Sequence, residues 1–511
     1  MTMPNRRTFL KSTGVSAAYA ALHSPADDLA AQSAASKAAA AKGSDLCFTD
    51  ARDLVALIRS RAVSAREVMA AHLERIRRVN PAINAIVGKM DDDKCLALAD
   101  EADRKAARKE TLGPLHGLPI AFKDLQPAVG FPFTRGSTIY KDATAAEDSV
   151  LVERLRAAGA LAIGKTNTPE FGMGSHTYNK VYGTTVNPFD RTKSAGGSSG
   201  GAGAALAAGM LPIADGSDNA GSLRNPGNFN NIVGMRPSVG LVPAAPSSFP
   251  FLGFAVAGPM ARTVSDVAYL LSVMAGPDPR DPGCMPSDPS VFRGRLDRSF
   301  KGVRVAWCPD LGGLPLDPRV RAVLNAKRTA FESLGCVVED ACPDLTNADS
   351  IFLTIRGSRS ATLYGPLLEK YRTQLKPEAV GEIEAGLALT SGAVAQAMTQ
   401  HAQLLERVRR FQQKYEFILC AVNQVPPFDA TLDWPKSIDG VTMEHYVAWM
   451  KSAYWITTTF RPALSVPAGF TPEGLPVGIQ IVGRYRADFQ LLQMAYAFEQ
   501  STRVGRKHPP V

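Results

Sequence analysis

The chain has 511 residues, 45% of them hydrophobic and 21% charged, enough to bury a large core and too many for a small stapled scaffold. Its formal net charge is +9, of which residues 1–42 supply +3; the remaining +6 shows no dense basic tract, so no nucleic-acid role is indicated. Seven cysteines, an odd number without Cys-x-x-Cys spacing, argue against a zinc site and against a fully paired disulfide framework.

At the N-terminus, Asn5-Arg6-Arg7-Thr8-Phe9-Leu10-Lys11 precedes a mild apolar stretch, Ser12 to Leu22, and an alanine-rich segment to Lys42. This is the layout of a twin-arginine export signal, so residues 1–42 are expected to be a leader and the mature protein periplasmic or secreted. The apolar run is too short and too polar to span a bilayer, and no other segment offers a span, so no stable membrane insertion is expected. Residues 43–511 read as one domain without internal repeats. Residues 49–60 and 64–79 carry apolar positions at helical spacing, with Ser64 as a cap and Pro81 as the stop. Residues 83–87 suggest a strand, 93–109 a charged helix, and Ile120-Ala121-Phe122 a short buried strand that delivers Lys123. Helix 150–158, apolar run 160–163, helix 203–208 and apolar run 211–214 continue the alternation. Helix 318–334, strand 336–338, helix 393–414 and strand 417–422 follow. The pattern predicts an α/β fold with a largely buried sheet.

The segment from Gly196 to Pro237 holds the most specific chemistry. It reads Gly196-Gly197-Ser198-Ser199-Gly200-Gly201, then Ser217-Asp218-Asn219-Ala220-Gly221-Ser222-Leu223-Arg224, and ends in Gly234-Met235-Arg236-Pro237. Serines in glycine-rich turns suit nucleophilic catalysis, because glycine lets backbone N–H groups approach a reacting atom. Such serines need a base, and Lys123, in Gly117-Leu118-Pro119-Ile120-Ala121-Phe122-Lys123-Asp124, is the candidate. A glycine-serine run alone is more often a linker, but this one lies between apolar strand and helix segments. A lone lysine is more often solvated, yet Lys123 follows an apolar strand. Lys165 is read as a surface or structural lysine and His116 as a hydrogen-bonded structural histidine. No histidine-rich cluster suggests a metal. Cys336 and Cys342 are close enough in sequence to bridge in an oxidising compartment, and two unlinked buried thiols fit as well.

Together these motifs resemble those of the amidase signature family, serine hydrolases of carboxamide bonds with a Ser-Ser-Lys triad. Gly164-Lys165-Thr166-Asn167-Thr168-Pro169-Glu170-Phe171, Asn187-Pro188, Gly258-Pro259-Met260-Ala261-Arg262 and Gly474-Leu475-Pro476-Val477-Gly478-Ile479-Gln480 extend the likeness over residues 46–505. The resemblance implies an α/β/α fold with a mixed central sheet, no cofactor and a small-molecule amide as partner, with a homodimer left open. It implies Ser222 as nucleophile, Ser198 as a bridging serine after a cis peptide bond, and Lys123 as a neutral general base. The backbone N–H groups of Asn219, Ala220, Gly221 and Ser222 would form the oxyanion hole, with Asp218 and Arg224 as supports. The commonest family pattern has glycine where Ala220 stands; alanine keeps the donor but restricts φ.

Residues 286–440, where the motifs thin out, correspond to the region that shapes the substrate entrance. Core packing is the favoured reading for most of its aromatics, and for Tyr446, Trp449, Tyr454 and Trp455, which are expected with His445 on a helix. The run from Asp218 to Pro226 is similar to that of some amidases acting on aminohexanoate amides. Aryl amides, peptide amides, carbamates and esters stay open. Gly197-Ser198-Ser199-Gly200-Gly201 also matches the elbow of α/β-hydrolases, with Ser199 as nucleophile and His401, His445 or His508 downstream as base. A non-catalytic binding protein on the same scaffold is a third reading. The glutaminyl subunit of the tRNA-dependent amidotransferase shares the motifs, but it works in the cytoplasm with partner subunits, which the leader opposes.

Overall fold

The computed structural model describes residues 45–246 and 253–511; the expected leader, with Arg6 and Arg7, lies outside them. Two sheets organise the chain. In the smaller one, β1 (Ile86–Val87) and β2 (Pro119–Lys123) flank β3 (Leu161–Thr166), β1 antiparallel and β2 parallel to it. The larger sheet contains β4 (Ile213–Asp218), β5 (Val233–Arg236), β6 (Val256–Ala261), β7 (Arg304–Trp307), β8 (Val337–Asp340), β9 (Phe417–Ala421), β10 (Ala463–Phe470) and β11 (Pro476–Val482). Their spatial order is β8-β7-β9-β11-β10-β5-β6-β4. The first three run parallel to one another, and every later pairing is antiparallel. All residues of β6, β9 and β11 are buried, as expected where helices cover both faces of a sheet.

Several boundaries depart from the sequence-based expectation. The second helix, Ala65–Ile83, starts with a capping box between Ser64 and Glu67 as predicted, but it continues past Pro81. It stops at Asn84, which is left-handed (φ 57°) and bonds back to the Asn80 carbonyl. The helix Gly200–Ala207 begins three residues before the predicted start, at its glycines. Packing explains this: a Cβ on Gly201 would lie 2.4 Å from the Asn167 nitrogen, so the glycines let the helix press onto its neighbours. The expected helix 318–334 is two helices, Pro318–Asn325 and Arg328–Ser333. His445 and Tyr446 precede the helical segments Ala448–Met450 and Lys451–Thr458 rather than joining them.

The cysteine expectation is corrected as well. Cys342 is bonded to Cys308, and Cys336 is a free, buried thiol. The parallel register aligns Trp307 with Asp340, so the residues just beyond the ends of β7 and β8 meet, whereas Cys336 stands before the start of β8.

The 286–440 region contributes three long helices, Ala348–Tyr371, Pro377–Leu387 and Ser391–Lys414. The first two cross so closely at Gly357 and Gly386 that a Cβ on Gly386 would lie 2.0 Å from the Gly357 carbonyl oxygen. That crossing brings Arg356, Arg359, Ser360 and Glu382 to one cavity. No helix among the described residues is long and apolar enough to cross a membrane.

Candidate active site

Lys123 ends β2, and its side chain is fully buried. Its Nζ lies 2.8 Å from Ser198 Oγ, 2.8 Å from Ser199 Oγ and 3.0 Å from Ser217 Oγ, and among the described residues no carboxylate is hydrogen-bonded to it. Burial pushes its pKa down to about 7; Asp215 and Asp218 oppose that shift without cancelling it. Ser199 is the residue before the helix Gly200–Ala207, so the positive end of that helix further disfavours an ammonium here. A neutral amine with three hydroxyl neighbours has one lone pair to accept a proton and two N–H groups to donate.

The Gly197–Ser198 peptide bond is cis, as the resemblance implied. Ser198 and Ser222 line the same cavity, and Ser222 is only 7% exposed. Among the described residues Ser222 Oγ has no hydrogen-bond partner, so the structure joins Lys123 to Ser198 directly and leaves the Ser222 hydroxyl unpaired in the shared space.

The loop from Asp218 to Arg224 is held by a buried charge cluster. Asp218 accepts from Arg224 Nε and Nη2, both at 3.0 Å, and from Arg236 Nη1 at 3.3 Å. Burial opposes ionisation of Asp218, but the two guanidiniums outweigh it and hold the carboxyl well below the usual carboxylate range. Arg224 reaches on to Gln480 Oε1, Thr457 Oγ1 and the Ala453 carbonyl, tying the loop to β11 and to the helix Lys451–Thr458. Asp218 also accepts the N–H of Gly221 at 2.9 Å and that of Leu223 at 3.2 Å. Gly221 has φ +114°, and a Cβ there would lie 2.6 Å from Ala453 Cβ, so this position needs glycine. Of the four N–H groups expected to form an oxyanion hole, that of Gly221 is therefore already engaged. Those of Asn219, Ala220 and Ser222 have no partner among the described residues. Ala220 is not left-handed, so alanine here imposes no backbone penalty.

A family model described as Amidase matches residues 67–492. The chain belongs to the amidase signature family. It is 37% identical over 458 residues to an acylamidase of Rhodococcus erythropolis, covering 89% of this chain and 96% of that one. It is 34% identical to a glutamyl-tRNA(Gln) amidotransferase subunit of Synechococcus sp., covering 88% and 96%. Among solved structures, a bacterial aryl acylamidase of the amidase signature family superposes with a TM-score of 0.84 at 26% identity, covering 91% of this chain and 100% of that one. A 6-aminohexanoate cyclic dimer hydrolase complexed with substrate gives 0.80 at 27%, covering 91% and 99%. The amidase fold and amide-hydrolysing class expected from the motifs are thus shown.

Several residues of this amidase site are not singled out by the sequence. Ser217 contacts Lys123, and Asp215 accepts the Lys123 backbone N–H at 3.0 Å. Asp215 is fully buried, with its carboxyl raised to about 6 by burial and its Oδ2 unpartnered among the described residues. Arg236 and Gln480 complete the Asp218–Arg224 cluster. Both lie inside family motifs, the one signal that points to them. Lys165 is structural rather than superficial: it is buried, donates to the Gln126 carbonyl at 2.5 Å and sits 3.8 Å from Asp124. His116 is buried with its Nε2 3.1 Å from the Ala102 carbonyl.

The elbow alternative fares poorly. Ser199 Oγ is buried against Lys123 and the Ser217 N–H, and among the described residues no histidine bonds to it. His401 bonds to the Thr458 carbonyl and His508 packs on Phe48. A separate depression of about 520 Å³, lined by Arg298, Glu416, Tyr485 and Gln490 among others, lies apart from these serines and has no serine, threonine or cysteine in its lining.

Proposed function

We propose that the protein is a hydrolase of small N-acyl amides working through a Ser222 acyl-enzyme. Lys123 carries this reading: its Nζ is buried against three hydroxyls with no carboxylate partner, surroundings that favour a neutral amine. Ser222 Oγ attacks the amide carbonyl while its proton passes through Ser198 to Lys123. The N–H groups of Asn219, Ala220 and Ser222 are the donors left for the oxyanion. Lys123 then returns the proton through Ser198 to the departing nitrogen, which must be protonated before the C–N bond breaks. Water then attacks the acyl carbon, its proton passing to Lys123, and that proton returns through Ser198 to Ser222 Oγ as the ester C–O bond breaks and the acid leaves. No cofactor is used in this scheme.

The acylamidase relative and the aryl acylamidase structure support N-acyl amides of small amines as the substrate class. The Lys123–Ser198 contact, with Ser222 in the same cavity, supports turnover over a binding role on the same scaffold. The Arg6-Arg7 leader supports export rather than work with cytoplasmic partner subunits, and the Cys308–Cys342 bridge suits an oxidising compartment.

A fluorophosphonate should label Ser222, and Ser222→Ala should lose both label and turnover of a panel of acyl anilides. Labelling of Ser199 would replace this reading with the elbow; no label and no turnover would leave a binding protein. Arg6→Lys with Arg7→Lys should keep precursor in the cytoplasm, and unchanged export would refute the address.

A further inference from the structure

The helix Ala348–Tyr371 brings two arginines, one turn apart, to the cavity that holds the serines, and only one of them is paired. Arg356 Nη2 lies 2.8 Å from Glu382 Oε2, and its Nε donates to the same oxygen at 2.9 Å. The Tyr446 and Ser360 hydroxyls also donate to Glu382. Arg356, Tyr446 and Ser360 thus occupy the carboxylate of Glu382. Arg359 lines the same cavity as Ser198, Ser217 and Ser222, yet makes no hydrogen bond or ion pair among the described residues. Burial disfavours its charge and Arg356 adds to that, while Tyr364 and Glu382 offset this only in part; the guanidinium cannot respond by shedding its proton.

The cavity therefore holds a cation to which no carboxylate is bonded among the described residues. Glu382 offsets one of the two arginines on this helix, and Asp218 offsets one of Arg224 and Arg236. A guanidinium kept half-buried and unpaired beside the serines loses part of its solvation energy, which an incoming anion restores. A planar fork of N–H donors suits a carboxylate in particular.

We infer that Arg359 binds a carboxylate carried by the substrate, so that this enzyme prefers anionic amides, such as monoamides of dicarboxylic acids, to their neutral counterparts. The inference rests on the amidase reading of the same site.

Two matched pairs test it: glutaric acid mono-p-nitroanilide against pentanoyl p-nitroanilide, and 4-acetamidobenzoate against acetanilide. The first pair places the charge on the acyl side, the second on the leaving amine. In at least one pair kcat/KM should favour the anion by roughly tenfold or more, the range of a hydrogen bond to a charged group. That ratio should fall towards one in Arg359→Gln and be partly kept in Arg359→Lys. Equal rates in both pairs, or an unchanged ratio in Arg359→Gln, would overturn the assignment. Calorimetry on Ser222→Ala, comparing glutaramate with pentanamide, separates this from the catalytic reading because it needs no turnover. If no amide is hydrolysed, the proposed function fails, and glutaramate binding that disappears with Arg359→Gln still upholds the carboxylate site. Absence of glutaramate binding to Ser222→Ala overturns it.

Discussion

Lys123 should set the acid limb of the pH profile. With its pKa near 7, the neutral amine is the base, so protonation at low pH removes activity and deprotonation restores it. A single titration at about 7 leaves roughly 9% of the enzyme active at about pH 6 and roughly 91% at about pH 8, a tenfold rise. A lysine at its ordinary ~10.4 would instead give a rate still climbing beyond about pH 9. Lys123→Arg keeps the positive charge and the donors but cannot deprotonate, so it should lose about 10²- to 10⁴-fold in amide turnover, the usual range for a general base. Lys123→Ala should be as poor on amides, and less impaired on a matched phenyl ester, whose phenoxide leaves without prior protonation. The assay is initial rate against pH on an acyl anilide and its phenyl ester, with circular dichroism confirming that each variant is folded. A profile flat between about pH 6 and 8, or near-normal anilide turnover by Lys123→Arg, would refute the relay and leave Lys123 a structural anchor.

Asp215→Asn keeps the acceptor for the Lys123 N–H but removes a carboxylate that favours the ammonium, so the acid limb should move to lower pH; an unmoved limb would show that Asp215 is only a brace. Asp218→Asn leaves Arg224 and Arg236 buried without their shared carboxylate and should cost about 3–5 kcal/mol, read as a lower urea midpoint. A midpoint close to wild type would mean that other acceptors suffice. Thiol titration of the unreduced, denatured protein should find five of the seven cysteines free, and Cys342→Ser should lower stability by about 4 kcal/mol for a loop of this length. Seven titratable thiols would remove the bridge.

The legible parts of the site are local. Ser198 and Ser222 sit in glycine-rich runs, Lys123 follows an apolar strand, and Asp218 and Arg224 flank one loop, so each can be named without knowing what lies across from it. What the sequence hides is which runs meet. Asp215 and Ser217 are two residues apart on β4 and share a face by strand periodicity, one holding the Lys123 backbone and the other its Nζ. The expected apolar run ends at Ala214 because the strand turns polar where it enters the site; only its extension to Asp218 brings both residues into view. The disulfide needs the parallel register of β7 and β8, which nothing near Cys308 announces. The glycine start of the helix Gly200–Ala207 shows close packing overriding a poor intrinsic propensity.

The division of labour between lysine and arginine follows from what each can do when buried. Arg224 and Arg236 brace Asp218, where a permanent charge is needed: the carboxylate must stay ionised to hold the Gly221 and Leu223 N–H groups. Arg356 pairs with Glu382. Lys123 stands in a similarly dry place with no carboxylate hydrogen-bonded to it, and for lysine the outcome of burial is loss of the proton. Arginine at 123 would remain charged and require a counter-ion that the three serines cannot supply. Arg359 then stands out on the same logic. It cannot neutralise itself as Lys123 does, and it has no carboxylate as Arg224 and Arg356 have. Of the two arginines that line this cavity, it is the one whose charge is left for a ligand to meet.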